Sequence, residues 1–508
     1  MSKAFSAARP GNLSKSKLMA FRQCPRRLWL EVHRPELRQD STAAQARFDT
    51  GNEVGEIARK LYDPDGSGAL INAQTEGYQQ ALKRSATLLA LNRPVFEAGF
   101  SASGVIAFAD VMLPVKRRGQ LGWRMVEVKS STSVKDYHRD DVAVQAYAAR
   151  QAGISVVSVS VAHIDSAWTY PGDGDYQGLL REVDLTEEAF EREDEVKQWV
   201  QQAQAVAAQS TEPLRATGAH CTSPFECGFI AHCAASEPQA EFPVSWLPRV
   251  QTKALKAHLA QPGVTDIRQV PDELLNAKQK RVKDQTLSGT AWLDARSAAR
   301  VLKAHKAPLY FLDFETIQFA VPRWAGTRPY EQLPFQFSLH CVTATGALQH
   351  HAFLDLTGND STASFTKALI KACGSEGSVF VYNASFERGR MSALGERYPR
   401  QRTALERIAE RVVDLLPIVE DHYYHPSQQG SWSIKKVLPA IAPDLRYADL
   451  EGVQDGGAAM AAYLEATHAS TPPERKQQVE RQLLEYCKLD TFAMVRLWQE
   501  LAGRNPLR

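Results

Sequence analysis

The stretch Phe311-Leu312-Asp313-Phe314-Glu315-Thr316, read together with Tyr486-Cys487-Lys488-Leu489-Asp490 far downstream, decides the reading of this chain. The run Leu309-Tyr310-Phe311-Leu312 has the continuous apolar character of a buried strand, so strand alternation places Asp313 and Glu315 on one face. Between Leu483 and Leu497 the apolar residues recur at helical spacing, which puts Tyr486 and Asp490 on one helix face. Three carboxylates and a phenol are thus offered to a common point. Carboxylates gathered without cationic partners repel one another, and hard divalent cations such as Mg²⁺ or Mn²⁺ relieve that repulsion. A pair of such ions clamps the attacking and leaving oxygens of a phosphodiester during in-line hydrolysis. The expected chemistry is metal-dependent phosphodiester cleavage.

The surrounding residues add detail. Leu333-Pro-Phe-Gln336-Phe-Ser338-Leu-His340-Cys341 alternates as a strand should and aligns Gln336, Ser338 and His340, either along a substrate groove or as a satisfied sheet face. Asp414 reads as a strand-end residue that supports the site. Ser431 or Ser433 suits a helix cap, and with Lys435 and Lys436 that helix start is a candidate phosphate-binding point. Cys341, Cys373 and Cys487 read as buried small hydrophobes.

The first half carries a second constellation. Gly104 to Pro114 reads as a strand bearing Asp110, a basic turn Lys116-Arg-Arg-Gly119 follows, and a second strand holds Glu127 and Lys129 on one face. Asp110 and Glu127 are candidate Mg²⁺ ligands, and the Lys129 ammonium is suited to position water and offset charge on phosphate. Cys24 and the trio Cys221, Cys227 and Cys233 stand apart from the other cysteines. Three thiols so close in a chain read as cytosolic argue for metal and against disulfides. Four thiolates suit a [4Fe–4S] cluster, and a tetrahedral Zn²⁺ accepts the same four. His220 and His232 read as solvated loop residues.

Composition bounds the rest. At 508 residues the chain holds two or three domains with proper cores, and 44% apolar with 23% charged residues is ordinary for a globular protein. Met1 to Pro10 lacks an apolar signal core and no run spans a bilayer, so a cytoplasmic, membrane-free protein is expected. The net charge of +2 does not by itself announce a nucleic-acid binder, although residues 1–50 hold ten Lys or Arg against four Asp or Glu. No phosphate loop of the Gly-x-x-x-x-Gly-Lys-[Ser/Thr] type is present, so any unwinding falls to a separate helicase.

The motifs resemble two nuclease families. Asp313-x-Glu315, Tyr382-Asn383-Ala384-Ser385-Phe386-Glu387 and Tyr486-x-x-x-Asp490 are similar, in order, to the three motifs of DnaQ-like exonucleases of the ribonuclease-H-like fold, with Glu387 standing where that family has Asp. The resemblance implies metal ligation by Asp313, Glu315, Glu387 and Asp490, and a Tyr486 that orients or deprotonates the attacking water. Asp110…Glu127-x-Lys129 resembles the PD-(D/E)XK signature, in its RecB and Cas-four branch. Gln145 takes that branch's Gln position; Tyr147 follows at two residues instead of four, and Gly55 stands in the place of a His, with Glu53 or Glu56 beside it. In the iron–sulfur members of this branch a distant cysteine and a C-terminal trio hold a [4Fe–4S] cluster, which implies that role for Cys24, Cys221, Cys227 and Cys233. The order of pieces is similar to an uncharacterised bacterial family with a RecB-like front and a DnaQ-like back.

The expectation is therefore an α/β chain in three parts. A restriction-endonuclease-like domain stapled by four cysteines spans 10–236, a short helical linker module spans 237–306, and a ribonuclease-H-like exonuclease domain spans 307–508. Its expected partner is nucleic acid, DNA favoured over RNA, and its expected role is repair, recombination or defence. A front domain that only grips nucleic acid, and a non-catalytic scaffold, are the competing readings.

Overall fold

The computed structural model describes residues 11–117 and 119–503; the Met1–Pro10 stretch, and Arg118 within the expected basic turn, lie outside them. The chain is mixed α/β and divides into two compact units, Met1–Pro238 with Phe319–Glu331 and Gln239–Gln318 with Gln332–Arg508.

The first unit is built on a seven-stranded sheet: β1 (Leu13–Ser14), β2 (Ala69–Leu70), β3 (Val95–Ala102), β4 (Val105–Arg117), β5 (Gln120–Lys129), β6 (Val156–Ile164) and β7 (Leu180–Asp184). Strands β2 to β7 lie side by side in that order, and β1 pairs with β4. The β3–β4 and β4–β5 pairs are antiparallel, whereas β5 and β6 are parallel. A parallel pair needs a crossover, and the Asp136–Gln151 helix provides it. That helix buries Val142, Ala143, Ala146 and Ala149 against Phe100, Met125, Val159 and Val161.

In the second unit, β8 (Trp292–Leu293) precedes a five-stranded sheet of β9 (Leu309–Ile317), β10 (Leu333–Val342), β11 (Leu348–Leu354), β12 (Ser378–Val381) and β13 (Val412–Asp414), and β14 (Tyr423–Tyr424) follows. The sheet order is β11-β10-β9-β12-β13. Antiparallel pairing joins β9, β10 and β11, and parallel pairing joins β9, β12 and β13. Central β9 is covered on both faces. Leu309 and Phe311 pack toward Met494, Val495 and Trp498 of the Pro473–Ala502 helix. Tyr310, Leu312 and Phe314 pack toward Phe365, Leu369 and Met391 on the other side. A strand buried on both faces reads as an unbroken apolar run, so Asp313 and Glu315 stand out in it.

Two boundaries differ from the sequence expectation. Residues 239–306 are not a free-standing linker but part of the second unit: β8 pairs with β14, and Glu420 takes ion pairs from Arg249 at 2.6 Å and Lys278 at 2.7 Å. Residues 319–331, which follow β9 directly, belong to the first unit. Ala320 and Val321 are buried with Val54, Ile164 and Leu179, the Tyr330 hydroxyl donates to the Ser130 carbonyl, and Tyr170 N–H donates to Thr327 O at 3.0 Å. Local periodicity carries no signal for either pairing, because both depend on partners far away in sequence.

Gly430 marks where the 239–306 segment meets the sheet-bearing part of its unit. It has φ +76°, and an added Cβ would fall 1.6 Å from the Trp246 carbonyl oxygen. Gly430→Ala is therefore expected to destabilise the second unit by roughly 2–4 kcal/mol through strain and backbone displacement. A urea melt should show an earlier transition; an unchanged midpoint would count against this close approach.

Candidate functional site

Odd-numbered positions of β9 face the long Pro473–Ala502 helix, and that helix turns Tyr486 and Asp490 toward them. Asp313, Glu315 and Asp490 each bring one oxygen to within 4.8 Å of the other two. Burial, followed by the charges of Asp490, Glu315 and Glu387, pushes the Asp313 carboxyl well above its usual range. Burial and Asp490 push Glu315 up to about 8. Asp490 rises only to about 6, because the Tyr447 hydroxyl and Lys435 offset part of its burial. Such a set is held together at a cost unless protons or cations occupy it.

Glu387 lies in the first turn of the Ala384–Arg397 helix. Asp414 fixes the start of that helix by accepting from Asn383 N at 3.0 Å and Ala384 N at 2.9 Å, the supporting role read from sequence. Glu387 is only 2% exposed, its Oε2 has no hydrogen-bond partner, and burial raises it to about 8. Its charge reaches Asp313, but it lies outside the close trio. Tyr486 is buried, and burial with the charges of Asp490, Glu315 and Asp313 holds its phenol protonated.

Sequence reasoning missed Tyr447, whose hydroxyl donates to Asp490 Oδ1. It sits in a short Tyr447–Asp449 turn where no periodicity flags it. Lys435 Nζ lies 5.4 Å from the centres of both the Tyr447 and Tyr486 rings and donates to Gln454 O at 2.7 Å. Cys487 is a fully buried small residue, as read, and its thiol also lies 3.6 Å from Asp313 Oδ2. On β10, Ser338 and His340 bond Thr491 Oγ1 at 2.7 and 2.8 Å, and Gln336 donates to Leu483 O at 2.7 Å while its own buried Oε1 is left without a partner.

In the first unit, Phe96 pairs with Val111 and Val111 with Val126, so continuing this register sets Glu97 opposite Asp110 and Asp110 opposite Glu127. Glu97 adopts φ +55° within its strand, a conformation that costs a non-glycine residue about 1–3 kcal/mol and clusters at functional sites. Asp110 accepts from Val128 N at 2.7 Å, and burial with the charges of Glu127 and Glu97 raises it well above its usual range. Glu127, 2% exposed, accepts on Oε1 from Lys15 at 3.0 Å and Lys129 at 2.6 Å, and on Oε2 from Gln145 at 2.6 Å. Both ammoniums also pair with Asp141, Lys15 at 2.9 Å and Lys129 at 2.5 Å. Although burial opposes it, Lys129 and Lys15 hold Asp141 well below the usual carboxylate range. Asp141 and Gln145 are one helical turn apart, which brings both over β5, whereas Tyr147 is buried in the apolar core. The expected Glu53 faces elsewhere, toward Arg323 at 3.8 Å. Lys15, Glu97 and Asp141 were missed because each lies on a different element from the Glu-x-Lys pair.

Cys24, Cys221, Cys227 and Cys233 line one small cavity with His220, Arg26 and Arg27. All four are buried free thiols. Burial raises Cys227, and pushes Cys233 up to about 11. His220 lines this cavity with Nε2 3.7 Å from Cys221 Sγ, and is more than a solvated loop residue. His232 instead pairs with Glu212 at 3.3 Å. Buried neutral thiols become good ligands when a cation displaces their protons.

Fold and sites define a two-unit α/β protein with a largely buried carboxylate trio able to hold a metal ion and a separate four-cysteine pocket. Residues 310–433 match a family described as a domain of unknown function, DUF2779. The match includes Asp313, Glu315 and Glu387 and stops short of Tyr486 and Asp490. No curated protein matches the chain. Among the described residues, no helix is long and apolar enough to cross a membrane.

Without metal, Glu315 and Glu387 bind their protons more tightly in the folded chain, near 8, than at the ordinary value of 4.5. Their stabilising contribution is complete below about pH 4.5 and is lost as pH rises through 8. In EDTA the thermal midpoint should fall across this window, by about 2–4 °C for each kcal/mol lost. Mn²⁺ at pH 8 should restore it, and Glu387→Gln should flatten the slope. A midpoint that rises with pH in EDTA would contradict this account.

Proposed function

We propose that the chain is a divalent-metal-dependent nuclease that hydrolyses phosphodiester bonds, acting exonucleolytically on single-stranded DNA ends in repair, recombination or defence. The observation that carries this reading is the Asp313–Glu315–Asp490 trio, with Glu315 and Asp490 buried and Asp313 partly so, whose oxygens converge with no ammonium among them. The β11-β10-β9-β12-β13 order, antiparallel then parallel, supports a ribonuclease-H-like, DnaQ-like second unit. The antiparallel β3-β4-β5, the Asp136–Gln151 crossover and parallel β6 support a restriction-endonuclease-like, RecB-like first unit.

At the trio, bound Mg²⁺ or Mn²⁺ supplies charge neutralisation and activation of the attacking water. Asp313, Glu315 and Asp490 hold the cation, and the unbonded buried Oε2 of Glu387 fits the role of a further ligand. Tyr486, on the same helix as Asp490, orients or deprotonates the attacking water. Tyr447 pins Asp490, and Lys435 faces the incoming phosphate. In the first unit Asp110 and Glu127 are the ligands, the orphan acceptor Oε1 of buried Gln145 fits a site that takes up a further group, and Lys129 offsets charge on phosphate. The cysteine pocket takes a [4Fe–4S] cluster, with Zn²⁺ as the alternative. The enzyme acts in the cytoplasm, on DNA in preference to RNA, and relies on a separate helicase for unwinding.

One observation favours a second reading in which the first unit only grips nucleic acid: every oxygen of Glu127 is engaged by Lys15, Lys129 or Gln145. Protein purified without oxygen, incubated with end-labelled single-stranded DNA or RNA and Mn²⁺, should degrade DNA and stop in EDTA. With the first unit silenced by Glu127→Ala, Asp313→Asn should lower any remaining rate about 10³-fold, the order expected when an electrostatic group is removed from a reacting centre. Full activity in Glu127→Ala would support the grip, and loss of cutting with retained binding would refute it. The purified protein should carry iron and acid-labile sulfide in equal amounts, both lost in Cys227→Ser; zinc without sulfide would replace the cluster.

A further inference from the structure

The first unit's carboxylates are arranged differently from the trio of the second. Among the described residues, no three of them bring oxygens within 4.8 Å of one another. Between Glu127 and Asp141 stand two ammoniums. Lys129 belongs to the same strand as Glu127; Lys15 comes from the other end of the unit, as the first residue of the Lys15–Gln23 helix. Lys15 Nζ lies 3.0 Å from Glu127 Oε1 and 2.9 Å from Asp141 Oδ1, with only 22% of its side chain exposed. Glu97 on β3 and Asp110 on β4 place two further carboxyl groups nearby.

The helix that carries Lys15 is itself held firmly. Cys24 caps its end and lines the cysteine cavity. Gln23 donates to His220 O at 2.7 Å and Phe225 O at 2.8 Å, on the segment that carries Cys221 and Cys227. Arg22 pairs with Asp140 at 3.1 Å, on the same helix as Asp141. The backbone of Lys15 is therefore fixed, and its four-carbon stem is the part whose rotamers allow the ammonium to change partners.

We infer that Lys15 is a latch on the first unit's metal site: its ammonium occupies the charge position between Glu127 and Asp141, and the phosphodiester of a single-stranded nucleic acid draws it away and admits the divalent cation. This rests on the proposed metal-binding role of Asp110 and Glu127. An ammonium and a divalent cation compete for the same carboxylate oxygen, and a phosphate oxygen is the competing anion that substrate brings. Lys129, anchored on the strand itself, stays to serve the phosphate. The consequence is a site that takes metal weakly until substrate arrives.

The test is equilibrium Mn²⁺ binding by electron paramagnetic resonance on the full chain, with Asp313→Asn and Asp490→Asn to silence the trio. The probes are Mn²⁺ alone and Mn²⁺ with a phosphorothioate single-stranded oligonucleotide. Lys15→Met should bind Mn²⁺ about tenfold more tightly than the parent without oligonucleotide, the scale on which outer partners tune a ligand. The oligonucleotide should tighten the parent and leave Lys15→Met unchanged, and Lys15→Arg should behave as the parent. Unchanged or weaker Mn²⁺ affinity in Lys15→Met overturns the latch. Glu127→Gln separates the two claims: if it abolishes Mn²⁺ binding while Lys15→Met leaves affinity unchanged, only the latch fails. If Glu127→Gln binds Mn²⁺ as the parent does, the metal-site reading fails too.

Discussion

Like charge removed from water is the constraint around which both units are organised. Each places carboxylates on inner strands of its sheet, where hydration is lost and mutual repulsion is strong. The second unit leaves Asp313, Glu315 and Asp490 to one another, tempered by a phenol and by one lysine beyond the tyrosine rings. The first unit interleaves its acids with two ammoniums. The same electrostatic problem thus has two solutions in one polypeptide: an unfilled demand for a cation, and a demand met provisionally by side chains.

The rest of the second unit serves to hold that demand in place. One face of the Pro473–Ala502 helix delivers Tyr486, Cys487 and Asp490, while Met494, Val495 and Trp498 farther along lock it to the sheet. The same helix bonds Gln336, Ser338 and His340 of β10, so its register against the sheet is fixed by buried hydrogen bonds as well as by packing. Asp414 acts similarly for Glu387, tying a helix start to a strand end. Such rigidity keeps repelling groups from relaxing apart.

Much of this was legible in the sequence. Asp313, Glu315, Tyr486 and Asp490 were found because strand and helix periods place them, and periodicity is local. Glu127 and Lys129 were legible for the same reason. Tyr447, Glu97, Asp141 and Lys15 were not, since each reaches its site through tertiary packing that no short pattern encodes. The four cysteines were legible by grouping and chemistry, whereas His220, although next to Cys221 in sequence, was read as a solvated loop residue and lines their pocket. The return of residues 319–331 to the first unit was not legible, because composition marks where a linker is polar and says nothing of which sheet a returning segment will join.

That returning segment has a consequence for how the protein comes into being. Residues 319–331 emerge from the ribosome after β9 of the second unit, yet Ala320 and Val321 close an apolar cluster around Val54, Ile164 and Leu179. The first unit is therefore incomplete when its own contiguous sequence has been synthesised, and waits for a stretch embedded in its neighbour. Vectorial synthesis makes the two units a single folding commitment: cutting the polypeptide once near residue 238 yields one piece with a hollow and another with an exposed apolar strap.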